Sequence, residues 1–171
     1  FITPDSSLEA YQDLAKTYSA IEPPTWSLLL AESTRSKGFN VGILDCDALK
    51  LTLEQSVRQI VIENPKLAVF VLYGQNPNSG TTSMIGALKL AEALKEANFT
   101  NKICFVGSHV SALPKEVICH EHVDIILLNE GVYALHNLLA SNLEDDLRTI
   151  KGIGWKDNDT IVLNPPERVV P

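Results

Sequence analysis

The chain has 171 residues, of which 45% are hydrophobic and 20% are charged. This composition is sufficient for one buried core of ordinary domain size and excludes a disordered chain. The formal net charge of −7 argues against a nucleic-acid partner and against an anionic membrane surface, because both select basic patches.

Short apolar runs predict the strands. The opening Phe-Ile-Thr is expected to end a first strand, and four further runs cover residues 40–46, 67–74, 102–107 and 123–129. None alternates strictly between apolar and polar residues, which is typical of strands covered on both faces in a parallel sheet. Two last runs, 153–156 and 160–163, flank a polar turn and predict a β-hairpin.

Helical periodicity fills the intervals between these strands. Helices are predicted over residues 25–38, 52–65, 81–98 and 131–141, with a shorter helix opening at Pro114. Thr52 and Gln55 have the spacing of a capping box. The alternation predicts a Rossmann-like, flavodoxin-type open α/β sheet, mainly parallel and five-stranded, with helices on both faces and a C-terminal β-hairpin. Residues 1–150 are expected to form this domain, and residues 151–171 the hairpin and a linker.

A ligand of such a sheet binds beyond the carboxyl ends of the strands. The loops expected there are 3–7, 73–82, 107–114 and 129–132, and they are rich in Gly, Ser, Thr and Asn. The same residue types are common in turns that bind nothing, so composition alone leaves a small-molecule site and ordinary turns open. The candidate ligand contacts are Thr3, Pro4, Asp5, Ser6, Tyr73, Gly74, Gln75, Asn76, Gly107, Ser108, His109, Ser111, Asn129, Glu130 and Gly131.

Several common α/β functions lack their motifs. The chain has no G-x-G-x-x-G, no G-x-x-x-x-G-K-[ST] and no G-x-S-x-G sequence. The acidic residue and the lysine that a receiver domain places at the exits of its third and fifth strands are also missing. We therefore predict no catalytic residues in this chain.

The cysteines and histidines do not predict a metal site. Cys46, Cys104 and Cys119 form no C-x-x-C pair, and we expect structural thiols in a reducing, cytoplasmic compartment. The segment Cys-His-Glu-His-Val-Asp at 119–124 is predicted to be a solvated loop that enters a strand. No run of 18 apolar residues is present, so no membrane insertion is expected.

Five segments, in this order, resemble the N-terminal cobalamin-binding domain of class B radical S-adenosylmethionine enzymes, many of which are methyltransferases. They are PPTWSLLLAESTRSKGFNVGILDCDA, LAVFVLYGQNPNSG, GSHVSALPKEV, VDIILLNEGVYALHNLL and IKGIGWKDNDTIVLNPPERVV. No single motif is specific, and the order and spacing together carry the resemblance. Three residues depart from the family pattern: Trp26 and Ser108 replace glycines, and Val132 replaces an acidic residue.

The resemblance implies that this domain binds cobalamin. A C-terminal domain of the same chain would then bind S-adenosylmethionine and a [4Fe-4S] cluster, and cobalamin would carry the methyl group in methylating members. The C-x-x-x-C-x-x-C motif for that cluster is absent here. Either the sequence stops before it or the protein lacks it, and we expect a non-catalytic piece of a longer protein.

The resemblance also gives the residues at the exit of the fourth predicted strand a role. Gly107, without a Cβ atom, is expected to admit a bulky corrin, and Ser108 and Ser111 are expected to bond amide or phosphate groups. His109 is predicted either to contact the cofactor, without ligating cobalt, or to cap the Pro114 helix or bond a carbonyl group. Glu130 is predicted either to bond the cofactor or to cap the helix that follows it.

Two other functions stay open at this point. One is a partner-docking or regulatory domain of the same fold that has lost its pocket, which the three departures favour. The other is a flavin-binding, flavodoxin-like protein, whose phosphate loop would be the Thr-Pro-Asp-Ser-Ser segment after the first strand.

Overall fold

The computed structural model describes residues 1–7, 12–14, 21–74, 77–143, 146–158 and 160–168. Its strands are β1 (Ile2–Thr3), β2 (Leu44–Asp45), β3 (Leu67–Leu72), β4 (Lys102–Gly107), β5 (Ile125–Leu127), β6 (Ile153–Asp157) and β7 (Thr160–Leu163). Its helices are α1 (Thr25–Arg35), α2 (Leu53–Glu63), α3 (Pro77–Glu96), α4 (Ser108–Ala112), α5 (Pro114–Cys119) and α6 (Val132–Ala140), with 3-10 turns at Gln12–Leu14 and Leu147–Thr149.

One sheet contains all seven of these strands, in the order β2-β1-β3-β4-β5-β6-β7. Neighbours from β2 to β5 pair in parallel, whereas β6 pairs antiparallel with β5 and β7 antiparallel with β6. The predicted mainly parallel α/β sheet with a C-terminal hairpin is therefore confirmed. The hairpin also extends the sheet from five strands to seven, because β6 continues the ladder at β5.

Two apolar layers cover the sheet. On one face, Phe70 and Phe105 lie with ring centroids 5.0 Å apart and pack with the buried side of α3, including Leu94. On the other face, Leu30 of α1 and Leu135 of α6 pack with the buried residues of β3, β4 and β5. Because both faces of the central strands are buried, their sequences are continuously apolar.

The strand predicted over residues 40–46 is shorter than expected. Only Leu44 and Asp45 belong to the strand, and they pair with Ile2 and Thr3 of β1. The strand predicted over 123–129 is similarly reduced to Ile125–Leu127. Asp124 lies outside the strand and uses its side chain instead, since its Oδ2 accepts from the Ile103 N–H at 2.8 Å.

The capping box at α2 gives a first prediction. Thr52 Oγ1 accepts from the Gln55 N–H at 3.2 Å, and Gln55 Oε1 accepts from the Thr52 N–H at 2.9 Å. Thr52→Ala is therefore expected to lower the free energy of unfolding by about 1 kcal/mol in urea denaturation. Thr52→Ser keeps the acceptor oxygen and serves as the control. Equal stability of the two variants would contradict the capping role.

Within the described ranges, no helix combines the length and apolar character needed to cross a bilayer.

Candidate functional site

The carboxyl ends of β1, β3, β4 and β5 lie side by side along one edge of the sheet, which we call the exit edge. Strand order changes direction between β1 and β3, and ligands of open α/β sheets bind at such a point. Gln75 and Asn76 lie outside the described residues. The structure places the other predicted contacts along the exit edge: Thr3, Pro4, Asp5, Ser6, Tyr73, Gly74, Gly107, Ser108, His109, Ser111, Asn129, Glu130 and Gly131.

The segment after β1 is bonded to two helices. Thr3 Oγ1 lies 2.8 Å from Ser27 Oγ, which is buried in α1. Ser6 Oγ accepts from the Gly86 N–H of α3 and donates to another backbone carbonyl of that helix, both at 3.1 Å. A Cβ atom on Gly86 would lie well under 3.0 Å from the Asp5 carbonyl oxygen, so this glycine permits the contact. Both hydroxyl groups are thus engaged within the protein.

Two glycines permit close contacts at the ends of β3 and β4. A Cβ atom on Gly107 would lie 2.8 Å from the Leu72 carbonyl carbon and closer still to its oxygen, and one on Gly80 would meet the Ser108 hydroxyl and the Leu72 oxygen. Gly107 therefore has a structural reason to lack a side chain, namely the close approach of β3. Its contact with a corrin stays a prediction.

The long loop predicted over residues 73–82 is partly helical. Helix α3 begins at Pro77, four residues before the predicted start. Proline is favoured in the first turn because that turn needs no N–H from it, and this signal was available in the sequence. Gly80 and Thr81, which were assigned to the loop, instead present the first turns of α3 to α4.

His109 is bonded to α3 and not to α5. Its Nδ1 atom lies 3.0 Å from Thr81 Oγ1. The N-cap of α5 is Leu113, and no side chain caps that helix. The half-exposed ring of His109 has no hydrogen bond at Nε2 within the described part of the chain. Ser108 differs, because its Oγ is buried there without a hydrogen-bond partner.

The exits of β3, β4 and β5 are joined at Asn129. The Asn129 N–H donates to Ser111 Oγ at 2.9 Å, and the Asn129 carbonyl accepts from the Tyr73 hydroxyl. Ser111 Oγ also donates to the Gly107 carbonyl at 3.1 Å. We call Tyr73, Ser111 and Asn129 the clasp. It holds Asn129 at φ +55° and thereby fixes the turn that presents Glu130.

Tyr73 of the clasp also forms an aromatic pair with Trp26. The ring of Trp26 stacks on that of Tyr73 with centroids 4.5 Å apart and planes inclined by 27°. Burial, and then the charge of Glu130, raise the pKa of the Tyr73 hydroxyl, which keeps it protonated as a hydrogen-bond donor. Trp26 thus fills the space beside α1 where the resembling family has glycine.

A small cleft lies where α6 begins. Residues 128–134 line it together with Glu167 and Arg168. The Arg168 guanidinium lies 4.2 Å from the centroid of the Tyr133 ring. Residues 164–168 belong to the predicted linker, and neither of these two side chains is among the predicted ligand contacts. The chain reverses direction twice, first into β6 and then into β7, and therefore returns to the exit edge. The predicted hairpin was the feature of the sequence that could have indicated this return.

No metal site is found in the described ranges, which include all three cysteines and all four histidines. No group of three or more His, Cys, Asp or Glu side chains there can hold a metal ion. Cys46 and Cys104 are buried and Cys119 is exposed, all as free thiols. Burial raises the pKa of the Cys46 and Cys104 thiols, which opposes the thiolate form that binds metals.

The polar groups at the exit edge fit the cobalamin that the resemblance implies. Asp5, His109 and Glu130 are partly exposed, and Asn129 is exposed. Together they offer carboxylate acceptors, an amide and an imidazole, which suit the many neutral carboxamides around a corrin ring. Two carboxylates disfavour a ligand with several negative charges, since like charges repel.

Comparison with known proteins gives one family and a set of similar structures. The model of the B12 binding domain matches residues 11–139. The methyltransferase TsrM from Kitasatospora setae, a radical S-adenosylmethionine enzyme solved with cobalamin and a [4Fe-4S] cluster, superposes with a TM-score of 0.73 at 14% identity, over 99% of this chain and 29% of that chain. OxsB, a cobalamin-dependent S-adenosylmethionine radical enzyme solved with aqua-cobalamin, superposes with a TM-score of 0.69 at 16% identity, over 98% of this chain and 22% of that chain.

At these identities the two structures show a shared fold. The chain spans less than a third of the length of either protein. No curated protein sequence matches it.

Proposed function

This chain belongs to the B12-binding domain family, and from that premise we propose that its exit edge holds cobalamin for a radical S-adenosylmethionine enzyme. The observation that carries the proposal is the family match over residues 11–139, which contains the exits of β3, β4 and β5. The side chains at the exit edge support it, because they are either uncharged and polar or acidic. An amide-rich macrocycle is bound by hydrogen-bond donors and acceptors more than by cations.

Four side chains are the proposed direct contacts. Asn129 and His109 donate to or accept from corrin carboxamides, and Asp5 and Glu130 accept from them. The clasp and the Trp26–Tyr73 pair position these groups. Bound cobalamin supplies a cobalt centre that can carry a methyl group, and the chain's own residues bind and orient it.

We propose that the radical chemistry takes place outside these 171 residues. In these 171 residues no C-x-x-x-C-x-x-C motif occurs, and two of the three cysteines are buried in the two apolar layers. We propose that a C-terminal radical S-adenosylmethionine domain of the same protein binds the [4Fe-4S] cluster and S-adenosylmethionine. Methyl transfer is the proposed reaction. A reducing cytoplasm is the proposed location, because the thiols are free.

The direct test is cobalamin uptake. We expect the purified chain, mixed with hydroxocobalamin and passed through a desalting column, to retain about one equivalent of chromophore with a shifted visible spectrum. Flavin mononucleotide is the competing ligand. It is expected to be excluded, because the Thr3 and Ser6 hydroxyls that a phosphate after β1 would need are bonded to Ser27 and α3.

The control variant is Lys66→Ala. Lys66 immediately precedes β3, at the opposite edge of the sheet, so its replacement is expected to leave uptake unchanged. A folded chain that retains neither ligand would support the docking-domain alternative, in which Trp26 and Tyr73 close the pocket. Retention of flavin instead of cobalamin would overturn the proposal.

A further inference from the structure

The direction of the last two strands determines where the chain leaves the sheet. Strand β6 is antiparallel to β5, and β7 is antiparallel to β6. Strand β7 therefore runs in the same direction as β5. Its last residue, Leu163, lies at the exit edge, along with the carboxyl ends of the parallel strands.

Asn164 continues the antiparallel pairing with β6 beyond the end of β7. Its N–H donates to the Ile153 carbonyl at 2.9 Å. Its side-chain amide donates to the carbonyls of Leu147 and Ile150, at 2.5 and 2.7 Å. Asn164 is 7% exposed, so these bonds are sheltered from water and attach the segment firmly to the domain.

Gly152 joins the returning segment to the exit of β5. Its N–H donates to the Pro165 carbonyl at 2.8 Å, and its carbonyl accepts from the Leu128 N–H at 2.9 Å. Gly152 has φ +74°, and a Cβ atom there would lie 2.8 Å from the Glu167 Cβ. A residue with a side chain would therefore be strained and would push the segment away.

The segment reaches α6 at its end. Asn137 Nδ2 donates to Glu167 Oε2 at 3.2 Å, and the Arg168 guanidinium lies over the Tyr133 ring. Between Leu163 and Arg168 the chain has thus crossed from the last strand, past the start of β6, to the cleft beside Glu130. Every step of this path is bonded to the domain.

We infer that residues 164–168 form a fixed strap that forms part of the wall of the cleft beside Glu130. The effect of the strap on a ligand rests on the proposed function, whereas its docking does not. The strap places Arg168 in the lining of the same cleft as Glu130. In that position it can donate to a carboxamide oxygen while Glu130 accepts from the same amide group.

Docking is tested in the cofactor-free chain by amide hydrogen exchange at Gly152, whose N–H bonds the strap. We expect slow exchange in the wild type. Tyr133→Leu removes the ring under Arg168 and is expected to accelerate exchange at Gly152 about two- to fivefold, while Tyr133→Phe keeps the ring and restores protection. The Phe105 amide in β4 is the internal control for global unfolding. Exchange at Gly152 that is unprotected in the wild type, or equal in the Leu and Phe variants, would overturn the strap.

The ligand arm measures the dissociation rate of bound cobalamin. Arg168→Gln removes the cation and shortens the side chain, and it is expected to raise that rate about threefold. The same change at Arg148, in the 3-10 turn Leu147–Thr149, is expected to leave the rate unchanged. Equal cobalamin dissociation rates in the wild type and in Arg168→Gln would refute the proposed contact between the strap and the ligand. Protection at Gly152 without any cobalamin binding would leave the strap standing and remove the proposed function.

Discussion

Gly107→Ala is expected to lower the free energy of unfolding by about 3 kcal/mol. The backbone of Gly107 is extended, with φ 165°, so alanine adopts this conformation without strain. The cost arises from contact. The new Cβ atom would lie well under 3.0 Å from the Leu72 carbonyl oxygen, and neither β3 nor β4 can move, because they pair through six registered residue pairs in the core. Urea or thermal denaturation measures the loss.

The matched control is Gly42→Ala. A Cβ atom on Gly42 meets nothing within 4 Å, and its φ lies outside the range that strains other residues. This variant is expected to change the free energy of unfolding by no more than about 0.5 kcal/mol. The result also separates two roles of Gly107. A Gly107→Ala chain with wild-type stability that fails to bind cobalamin would show that the glycine serves the corrin and not the β3–β4 contact.

Ser111→Ala is expected to weaken cobalamin binding about tenfold, equivalent to about 1.4 kcal/mol. The variant removes the acceptor of the Asn129 N–H and the donor to the Gly107 carbonyl. The turn at Asn129 then loses one of its two attachments, and Glu130 is presented in several orientations instead of one. Spectral titration with hydroxocobalamin measures the dissociation constant, and a fall of about 1 kcal/mol in the free energy of unfolding accompanies it.

Ser141→Ala is the control for this second prediction. Ser141 Oγ donates to the Leu138 carbonyl at 2.8 Å at the end of α6, a bond of the same kind as that from Ser111 to Gly107. Its loss is expected to leave the affinity unchanged. Ser111→Thr retains the hydroxyl and is expected to recover most of the affinity. If Ser111→Ala and Ser141→Ala bind cobalamin equally well, the clasp has no part in the site.

The sequence predicted some elements closely and others poorly, for a common reason. Strands β3 and β4 were bounded to within two residues, because a continuous apolar run marks a strand buried on both faces. The predicted strand at 40–46 kept only two residues, because the bounds of a strand depend on backbone pairing with its neighbour, which an apolar run does not specify. The start of α3 was placed too late, because Pro77 was taken as a loop residue although proline is favoured in a first helical turn.

The position of the candidate site was predictable from the sequence, whereas its hydrogen bonds were not. The exit loops were identified from topology, since the carboxyl ends of parallel strands must share one edge. Their internal bonds were not, because they join residues far apart in the chain: Tyr73 with Asn129, and Thr81 with His109. No local pattern encodes such pairs. They form only when the sheet brings the strand ends together.

The sequence by itself therefore determined the open α/β architecture, the family resemblance and the edge where a ligand binds. These follow from periodicity, strand–helix order and motif spacing, all of which are local or ordered along the chain. Only the tertiary structure showed that Gly107 lies against the Leu72 backbone, that Ser111 and Tyr73 bond Asn129, and that residues 164–168 lie at the exit edge. Those outcomes depend on distances between separate elements, which packing of the two apolar layers fixes.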